Sequence, residues 1–339
     1  MDFFNADTLP VIFAGLMALS LWLYVILDGY DLGVGILLPF TKTIHDKNKM
    51  ISSIGPFWDA NETWLVLGIG LLLVAFPKAH GMILGELYLP VALMLIGLIL
   101  RGVAFDFRVK VKTAHQLTWN YIFAFGSLLA SLMQGIMLGR YITGFAEGYF
   151  AWGFALLVGI GLSFAYVLLG ASWLLMKMEG SLQTSTLHWI KNSLLCVAAM
   201  VCLISIISPF ANQVIFDKWF VLPNFFYLSP LPLLSFGLFI FLFCYLPKLQ
   251  KYQANKNDKG CWIPFVCSVG IMSLAYIGLA YSVFPDIIVG RLTIWEAASD
   301  PEALRIILWG TLVVLPTILA YSIFSYYVFR GKATDLSYD

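Results

Sequence analysis

Four carboxylates lie beside or inside hydrophobic segments near the start of the chain. Asp28 and Asp31 belong to the run DGYDLGVG, and Asp59 and Glu62 belong to the run GPFWDANETW. A carboxylate is costly in hydrocarbon, so an acid placed there indicates a functional site. Each pair has i, i+3 spacing, which puts its two side chains on one face of a helix. The chemistry that we expect from such groups is proton transfer.

Long apolar segments must position these acids. The chain has 339 residues, 60% hydrophobic and 12% charged, whereas a soluble domain carries about 25% charged residues. Nine runs can each span a bilayer, at residues 8–39, 54–76, 79–104, 117–140, 150–176, 190–210, 229–247, 262–285 and 303–329. The sequence predicts an all-α polytopic membrane protein, a single integral membrane domain over residues 1–339 without a sizeable soluble domain. The net charge of +1 gives no reason to expect nucleic acid as a partner.

The basic residues predict the orientation of these segments. Fourteen Lys and Arg residues fall in connections 1, 3, 5 and 7 and in the C-terminal tail, and five fall on the opposite side. The positive-inside rule then places the N-terminus outside and the C-terminus in the cytoplasm. The four acids and Arg101, near the end of the third segment, form a predicted layer on the cytoplasmic side. We refer to these five residues as the acidic layer.

The acidic layer has two interpretations. Its members would carry a net charge of −3 if all were ionised, and desolvation and like-charge repulsion favour protonated carboxyl groups, which can relay protons. Alternatively, Arg101 only pairs with acids to hold helices together. Asp59 and Glu62 also suit a helix N-terminus because of the helix dipole.

Other residues near the layer have simpler explanations. Trp58 and Trp64 are predicted to anchor the chain at the membrane interface, where Trp is enriched. Gly29 and Gly33 have the small-xxx-small spacing that lets two helices approach closely. Glu86 is expected to be a buried acid in the outer part of the third segment, with no cation near it in the sequence.

Histidine placement argues against haem ligation by this chain. His45, His80, His115 and His188 each fall in a connection or at the end of a segment, whereas haem iron usually takes an axial His, Met or Cys. We therefore expect no haem ligand and no metal ligand in this chain. Redox cofactors would belong to a partner.

Four sequence blocks resemble subunit II of the cytochrome bd-type quinol oxidases, including the cyanide-insensitive branch. They are DGYDLGVG at 28–35, GPFWDANETWLV at 55–66, FP at 76–77 and RGVAFDFR at 101–108. Length and segment number also match. The resemblance implies two four-helix bundles and one peripheral helix in the bacterial cytoplasmic membrane.

The resemblance further implies a division of labour between two subunits. Subunit I would carry b-type and d-type haems and oxidise quinol, and the complex would reduce dioxygen to water with protons from the cytoplasm. Subunit II would be a haem-free copy that supports subunit I within the lipid bilayer. A small accessory membrane subunit and a quinone bound to this chain are left open.

Family motif positions are occupied by Asp31, Asp59 and Arg101, with Asp28 and Trp58 beside them. The acid at the Asp59 position is associated with a proton path in the family, whereas some relatives carry glutamine at the Glu62 position. Two other functions remain open on the sequence alone. One is a purely structural assembly subunit, and the other is a proton-coupled secondary transporter, although transporters tend to have interrupted helices near the midplane.

Overall fold

The computed structural model describes residues 5–111, 113–255 and 257–333. Nine helices in these ranges are long and apolar enough to cross a membrane, as the sequence predicts. In chain order the helices are α1 (Thr8–Leu37), α2 (Ile44–Ser52), α3 (Trp58–Ala75), α4 (Pro77–Glu86), α5 (Tyr88–Lys110), α6 (Thr113–Ile142), α7 (Tyr149–Lys177), α8 (Gly180–Ala211), α9 (Gln213–Phe220), α10 (Asn224–Leu228), α11 (Pro230–Ala254), α12 (Ile263–Val283), α13 (Ile294–Ala297) and α14 (Pro301–Val328). A 3₁₀ turn, Leu38–Phe40, follows α1.

The spanning helices form two four-helix bundles and one peripheral helix. In the first bundle, α3 and α6 pack against α1, and α5 packs along α6. In the second bundle, α8 and α12 pack against α7, and α11 packs against both α8 and α12. Contacts of α1 and α6 with α7 join the bundles. Among the spanning helices α7 is the most buried and α14 the least, so α14 is the peripheral helix.

Three glycines allow the close crossing of α1 and α7. A methyl group added to Gly33 would overlap the backbone carbonyl of Tyr166, and one added to Gly170 would lie 2.5 Å from the carbonyl carbon of Gly33. A Cβ on Gly29 would lie 2.7 Å from the Tyr166 ring. The predicted packing role of Gly29 and Gly33 therefore has a structural counterpart, and the contact sets how the acids on α1 face the other helices.

The third predicted segment, 79–104, is wrong as a single helix. The chain forms α4 and α5 instead, with Leu87 between them in a non-helical conformation (φ −105°, ψ 14°). Pro77 begins α4 after Phe76, which is itself non-helical, because proline disfavours the helical conformation in the residue before it. Hydropathy does not detect the break at Leu87, since apolar residues continue on both sides of it.

The start of the sixth predicted segment also differs: α8 begins at Gly180 rather than at residue 190.

The connection between α12 and α14 also contains structure that hydropathy did not predict. Strands β1 (Asp286–Ile288) and β2 (Leu292–Thr293) form a short antiparallel hairpin. A capping box begins α13: Thr293 accepts from the backbone of Glu296, and the Glu296 side chain accepts from the backbone of Thr293. These elements cap the end of the first bundle that is far from Asp28 and Asp31, and they leave the all-α class unchanged.

Candidate functional site

Arg101 on α5 joins acids from two other helices. Its Nη1 donates to Asp28 Oδ1 on α1 at 2.6 Å, and its Nη2 donates to Glu62 Oε2 on α3 at 2.9 Å. The side chains of Asp28 and Arg101 are 0% and 1% exposed, whereas Glu62 is 26% exposed. Hydrogen bonds between a guanidinium and carboxylates are short and strong. The three helices thus place Asp28, Glu62 and Arg101 in one ion-pair cluster.

Asp31 lies in the same region but has a neutral partner. Asn61 Nδ2 on α3 donates to Asp31 Oδ2 at 2.8 Å, and it also lies 2.9 Å from the hydroxyl of Tyr30. Tyr326 on α14 donates to Asn61 Oδ1 at 3.1 Å, and its hydroxyl lies 2.7 Å from that of Tyr30. We call Tyr30, Asn61 and Tyr326 the amide ring. Asp31 is fully buried beside it.

Asp59 lies apart from the ion-pair cluster. It is in the first turn of α3 and its side chain is exposed, so it lies outside the buried ion pairs although it is one turn from Glu62. Trp58 covers the cluster instead: the Arg101 guanidinium lies 5.7 Å from the centre of its ring, and Phe105 packs against it at 5.0 Å. Interfacial anchoring is wrong for Trp64, which is 1% exposed in the packed interior.

Several polar atoms of the layer have no hydrogen-bond partner among the described residues. They are Asp28 Oδ2, Asp31 Oδ1 and Arg101 Nε. Buried polar atoms are usually hydrogen-bonded to protein or water. With Asp28, Asp31 and Glu62 ionised, one guanidinium would face three carboxylates. The region can lower this charge by binding protons, since an uncompensated buried charge is costly.

A second buried polar chain begins one helical turn from Asp28. Gln134 Nε2 on α6 donates to the hydroxyl of Tyr24 at 2.6 Å, and the hydroxyl of Tyr166 on α7 donates to Gln134 Oε1 at 2.7 Å. All three side chains are buried. The chain extends the polar region from α1 across to α6 and α7, in the interior where the two bundles meet.

Sequence reasoning missed the neutral partners in this region. Asn61 could have been noticed, because it is a polar residue between Asp59 and Glu62 in an otherwise apolar helix. Tyr326 gave no such signal, since it lies 265 residues from Asn61 in a helix with an apolar, aromatic composition. Its place in the site follows only from how α14 packs.

The prediction that Glu86 is a buried acid is wrong. Glu86 is the last residue of α4 and is 37% exposed, and its Oε1 lies 3.8 Å from Arg291 Nη1. The two residues are remote in sequence, and the turn between β1 and β2 places Arg291 near α4. This long, exposed ion pair contributes little to stability.

Metal ligands are not gathered anywhere in the described ranges. There, no group of three or more His, Cys, Asp or Glu side chains could hold a metal ion. The four histidines all lie in the described ranges, and His45, His115 and His188 are exposed while His80 on α4 is half-buried. None of the four imidazoles is fully buried, so no histidine of this chain is placed to ligate a haem within the packed interior of a bundle.

The fold and the site define a class: a polytopic helical membrane protein with ionisable side chains buried at one end of a helix bundle. A model of the family "Cytochrome bd terminal oxidase subunit II" matches residues 9–329. The chain therefore belongs to the cytochrome bd terminal oxidase subunit II family. Membership in a family of second subunits implies a first subunit as its partner.

Individual relatives agree with the family assignment. The chain is 25% identical to "Cytochrome bd ubiquinol oxidase subunit 2" of Bacillus subtilis, over 92% of this chain and 93% of that one. It is 26% identical to "Cytochrome bd-I ubiquinol oxidase subunit 2" of Escherichia coli K12, over 92% and 91%. The fold resembles "The structure of bd oxidase from Geobacillus thermodenitrificans" with a TM-score of 0.77 and 17% identity, covering 95% of this chain and 98% of that one.

Proposed function

We propose that this chain is the haem-free second subunit of a quinol:dioxygen oxidoreductase and supplies part of a proton path from the cytoplasm. The b-type and d-type haems would be held by subunit I, and quinol would be the substrate of the complex. The names of the Bacillus subtilis and Escherichia coli relatives, which are ubiquinol oxidase subunits, support this assignment. The position of the four histidines outside the bundle interiors supports a haem-free role.

The proposed orientation follows from the basic residues. The end of the first bundle that carries α2 also carries Asp28, Asp31, Asp59 and Glu62, and α2 belongs to the Lys-rich connection 1. With the positive-inside rule, this end faces the cytoplasm of a bacterium and the N-terminus lies outside. Protons consumed when dioxygen is reduced to water would then enter at the acidic layer from the cytoplasmic side.

One observation carries the proposal: the acids become less exposed from α3 towards α1. Asp59 is exposed, Glu62 is 26% exposed, and Asp28 is fully buried with Arg101 between it and Glu62. A proton taken up at Asp59 can pass to Glu62, one turn further along the same helix face. Glu62 and Asp28 both accept hydrogen bonds from the Arg101 guanidinium. When one of the two acids binds a proton, the positive charge of Arg101 is left to stabilise the other carboxylate.

The experiment replaces Asp59 by asparagine in the assembled two-subunit oxidase. We expect oxygen consumption and proton uptake to fall at least about tenfold, because a positioned acid typically accelerates proton transfer by 10²–10⁴. The haem content, measured by absorbance, should be unchanged. Asp106→Asn is the matched control, since Asp106 is an exposed acid on α5 one turn beyond Arg101. Undiminished turnover with undiminished proton uptake in Asp59→Asn would remove Asp59 from the path.

A structural role is the second candidate, and the 2.6 Å bond between Arg101 and Asp28 favours it. In that case the acids hold α1, α3 and α5 together, and the chain stabilises subunit I. Arg101→Leu or Asp31→Asn would then deplete haem from the purified complex instead of slowing an intact one. Absorbance spectra recorded beside turnover distinguish the two roles.

A further inference from the structure

The peripheral helix α14 reaches the buried site through a single aromatic side chain. The Tyr326 ring stacks on Phe57 with a centroid distance of 4.5 Å and an interplanar angle of 11°, and its edge faces Trp173 at 6.1 Å. Its hydroxyl lies beside Asn61 and Tyr30. Most of α14 is exposed, and its buried apolar residues, Leu304 and Leu308, lie near the opposite end of the helix.

With the Asn61 amide oriented as in the structure, the hydrogen bonds of the amide ring run in one direction. Tyr326 has one hydroxyl proton and donates it to Asn61 Oδ1, so Tyr30 must be the donor in the 2.7 Å contact between the two hydroxyls. The oxygen of Tyr30 in turn accepts from Asn61 Nδ2 at 2.9 Å. The ring is closed, and each of the three groups donates once and accepts once within it.

The acceptors on one side of Asn61 determine which end of its amide faces Asp31. The amide nitrogen lies 2.8 Å from Asp31 Oδ2, 2.9 Å from the Tyr30 hydroxyl and 3.3 Å from the carbonyl oxygen of Leu27. An amide turned by 180° would aim its oxygen at the Asp31 carboxylate and at the Leu27 carbonyl, neither of which can donate. The Tyr326 hydroxyl donates to Oδ1 on the opposite side, and it therefore holds the amide in place against Asp31.

We propose that Tyr326 is a positioning residue for Asp31, acting through the hydrogen bond that holds the Asn61 amide in place. The inference rests on the proposed function, because it assigns Tyr326 to the same proton path as Asp31. In this proposal α14 does more than cover the bundle. It supplies the Tyr326 hydroxyl, which holds the Asn61 amide where its N–H donates to Asp31.

The segment after α14 is held in place against the second bundle. Lys177 Nζ, at the end of α7, donates to the carbonyl oxygens of Phe329 at 2.5 Å and Gly331 at 2.9 Å. The backbone N–H of Ala333 returns a bond to the Lys177 carbonyl at 2.9 Å. These three bonds, which we call the C-terminal clasp, begin one turn after Tyr326 and restrain the end of α14.

An ion pair outside the membrane spans extends the clasp. Lys332 Nζ lies 3.0 Å from Asp258 Oδ2, and Gln183 Nε2 donates to Asp258 Oδ1 at 2.8 Å. Partial burial raises the pKa of Asp258, but the hydrogen bonds from Gln183 and Lys332 outweigh it and hold the pKa below its usual range. The ionised form of Asp258 is thus the form that the clasp stabilises.

The test replaces Tyr326 by phenylalanine in the assembled oxidase. The ring and its stacking on Phe57 remain, and only the hydroxyl is lost. We expect unchanged haem content and a turnover lowered about three- to tenfold, the range expected for the loss of one neutral hydrogen bond. The control is Tyr327→Phe, because Tyr327 is 62% exposed on the same helix. It should turn over at the unmodified rate.

A double-mutant cycle separates positioning from general stability. If Tyr326 acts through Asp31, Tyr326→Phe should cause no further loss when Asp31 is already asparagine, whereas independent effects would multiply. Infrared difference spectra supply a measurement that does not depend on turnover. The carboxyl or carboxylate band that Asp31→Asn removes should be displaced by Tyr326→Phe and unmoved by Tyr327→Phe.

The outcomes distinguish this inference from the proposed function. An undisplaced Asp31 band in Tyr326→Phe, or independent losses in the cycle, overturns the positioning role of Tyr326 even when Asp31→Asn slows proton uptake. If Asp31→Asn leaves turnover and proton uptake unchanged, Asp31 is outside the path and the proposed function fails at that residue. Haem loss in Tyr326→Phe but not in Tyr327→Phe would assign Tyr326 a structural role and also overturn the inference.

Discussion

Replacing Arg101 by methionine tests how strongly the buried ion pairs hold the first bundle together. Methionine keeps an unbranched apolar stem in the interior but removes the guanidinium. The change takes from fully buried Asp28 the donor now 2.6 Å from its Oδ1, and from Glu62 the donor at 2.9 Å. Two carboxylates on different helices therefore lose the charge that joins them.

The expected loss of stability can be worked from these two bonds. A hydrogen bond to a charged group contributes about 1.5–3 kcal/mol, so two of them contribute about 3–6 kcal/mol. Removing one partner of a buried ion pair typically costs about 3–5 kcal/mol. Glu62 is 26% exposed, so water screens its attraction to Arg101. We therefore expect the free energy of unfolding to fall by about 3–4 kcal/mol, the lower part of both ranges.

The assay is thermal unfolding of the purified two-subunit complex, followed by tryptophan fluorescence and by haem absorbance. Arg291→Met is the matched control, because Arg291 is 46% exposed and its Nη1 lies 3.8 Å from Glu86 Oε1. The control should cost no more than about 1 kcal/mol. Adding Asp28→Asn to Arg101→Met should recover part of the lost stability, since the uncompensated buried charge is then gone.

Two results would refute this reasoning. Equal unfolding midpoints for Arg101→Met and Arg291→Met would mean that burial does not determine the strength of these pairs. A double variant less stable than Arg101→Met would mean that Asp28 contributes through contacts other than its charge.

Two further predictions concern the packing of α1 and the C-terminal clasp. Gly33→Ala should destabilise the complex by at least about 1–3 kcal/mol, since the added methyl meets the Tyr166 backbone, whereas Gly15→Ala on the same helix has open space and should be neutral. Equal unfolding midpoints for the two variants would contradict this. The lowered pKa of Asp258 means that its pairing with Lys332 stabilises the fold above the unfolded-state pKa of about 3.9 and is lost as the pH falls through the folded-state value. Asp258→Asn should therefore lose less stability on acidification than the unmodified complex, and an unchanged dependence of unfolding on pH would contradict the assignment.

Hydropathy by itself determined the class of protein and the number of spanning helices. Nine apolar segments were predicted and nine spanning helices are found in the described ranges. The agreement has a physical reason: every backbone polar group in lipid must be satisfied within the chain, which leaves helices as the structure for a long apolar segment. The end of α4 and the start of α5 could not be predicted in this way, because apolar residues continue on both sides of Leu87.

Connectivity determined that the acids and Arg101 lie at one end of the first bundle. Asp28 is late in the first spanning segment, Glu62 is early in the second, and Arg101 is late in the third. Successive helices run in opposite directions, so these three positions must share one end of the bundle. The i, i+3 spacing within α3 likewise put Asp59 and Glu62 on one helix face.

Only the tertiary structure decided which side chains meet there. Arg101 pairs with Asp28 and Glu62, whereas Asp31, one turn from Asp28, has Asn61 as its donor. Partner choice depends on how each helix is rotated and how closely it approaches its neighbours, and those quantities follow from contacts such as Gly33 against Gly170. Tyr326 joins Asn61 across 265 residues because α14 docks beside α3, and no periodicity within either helix contains that information.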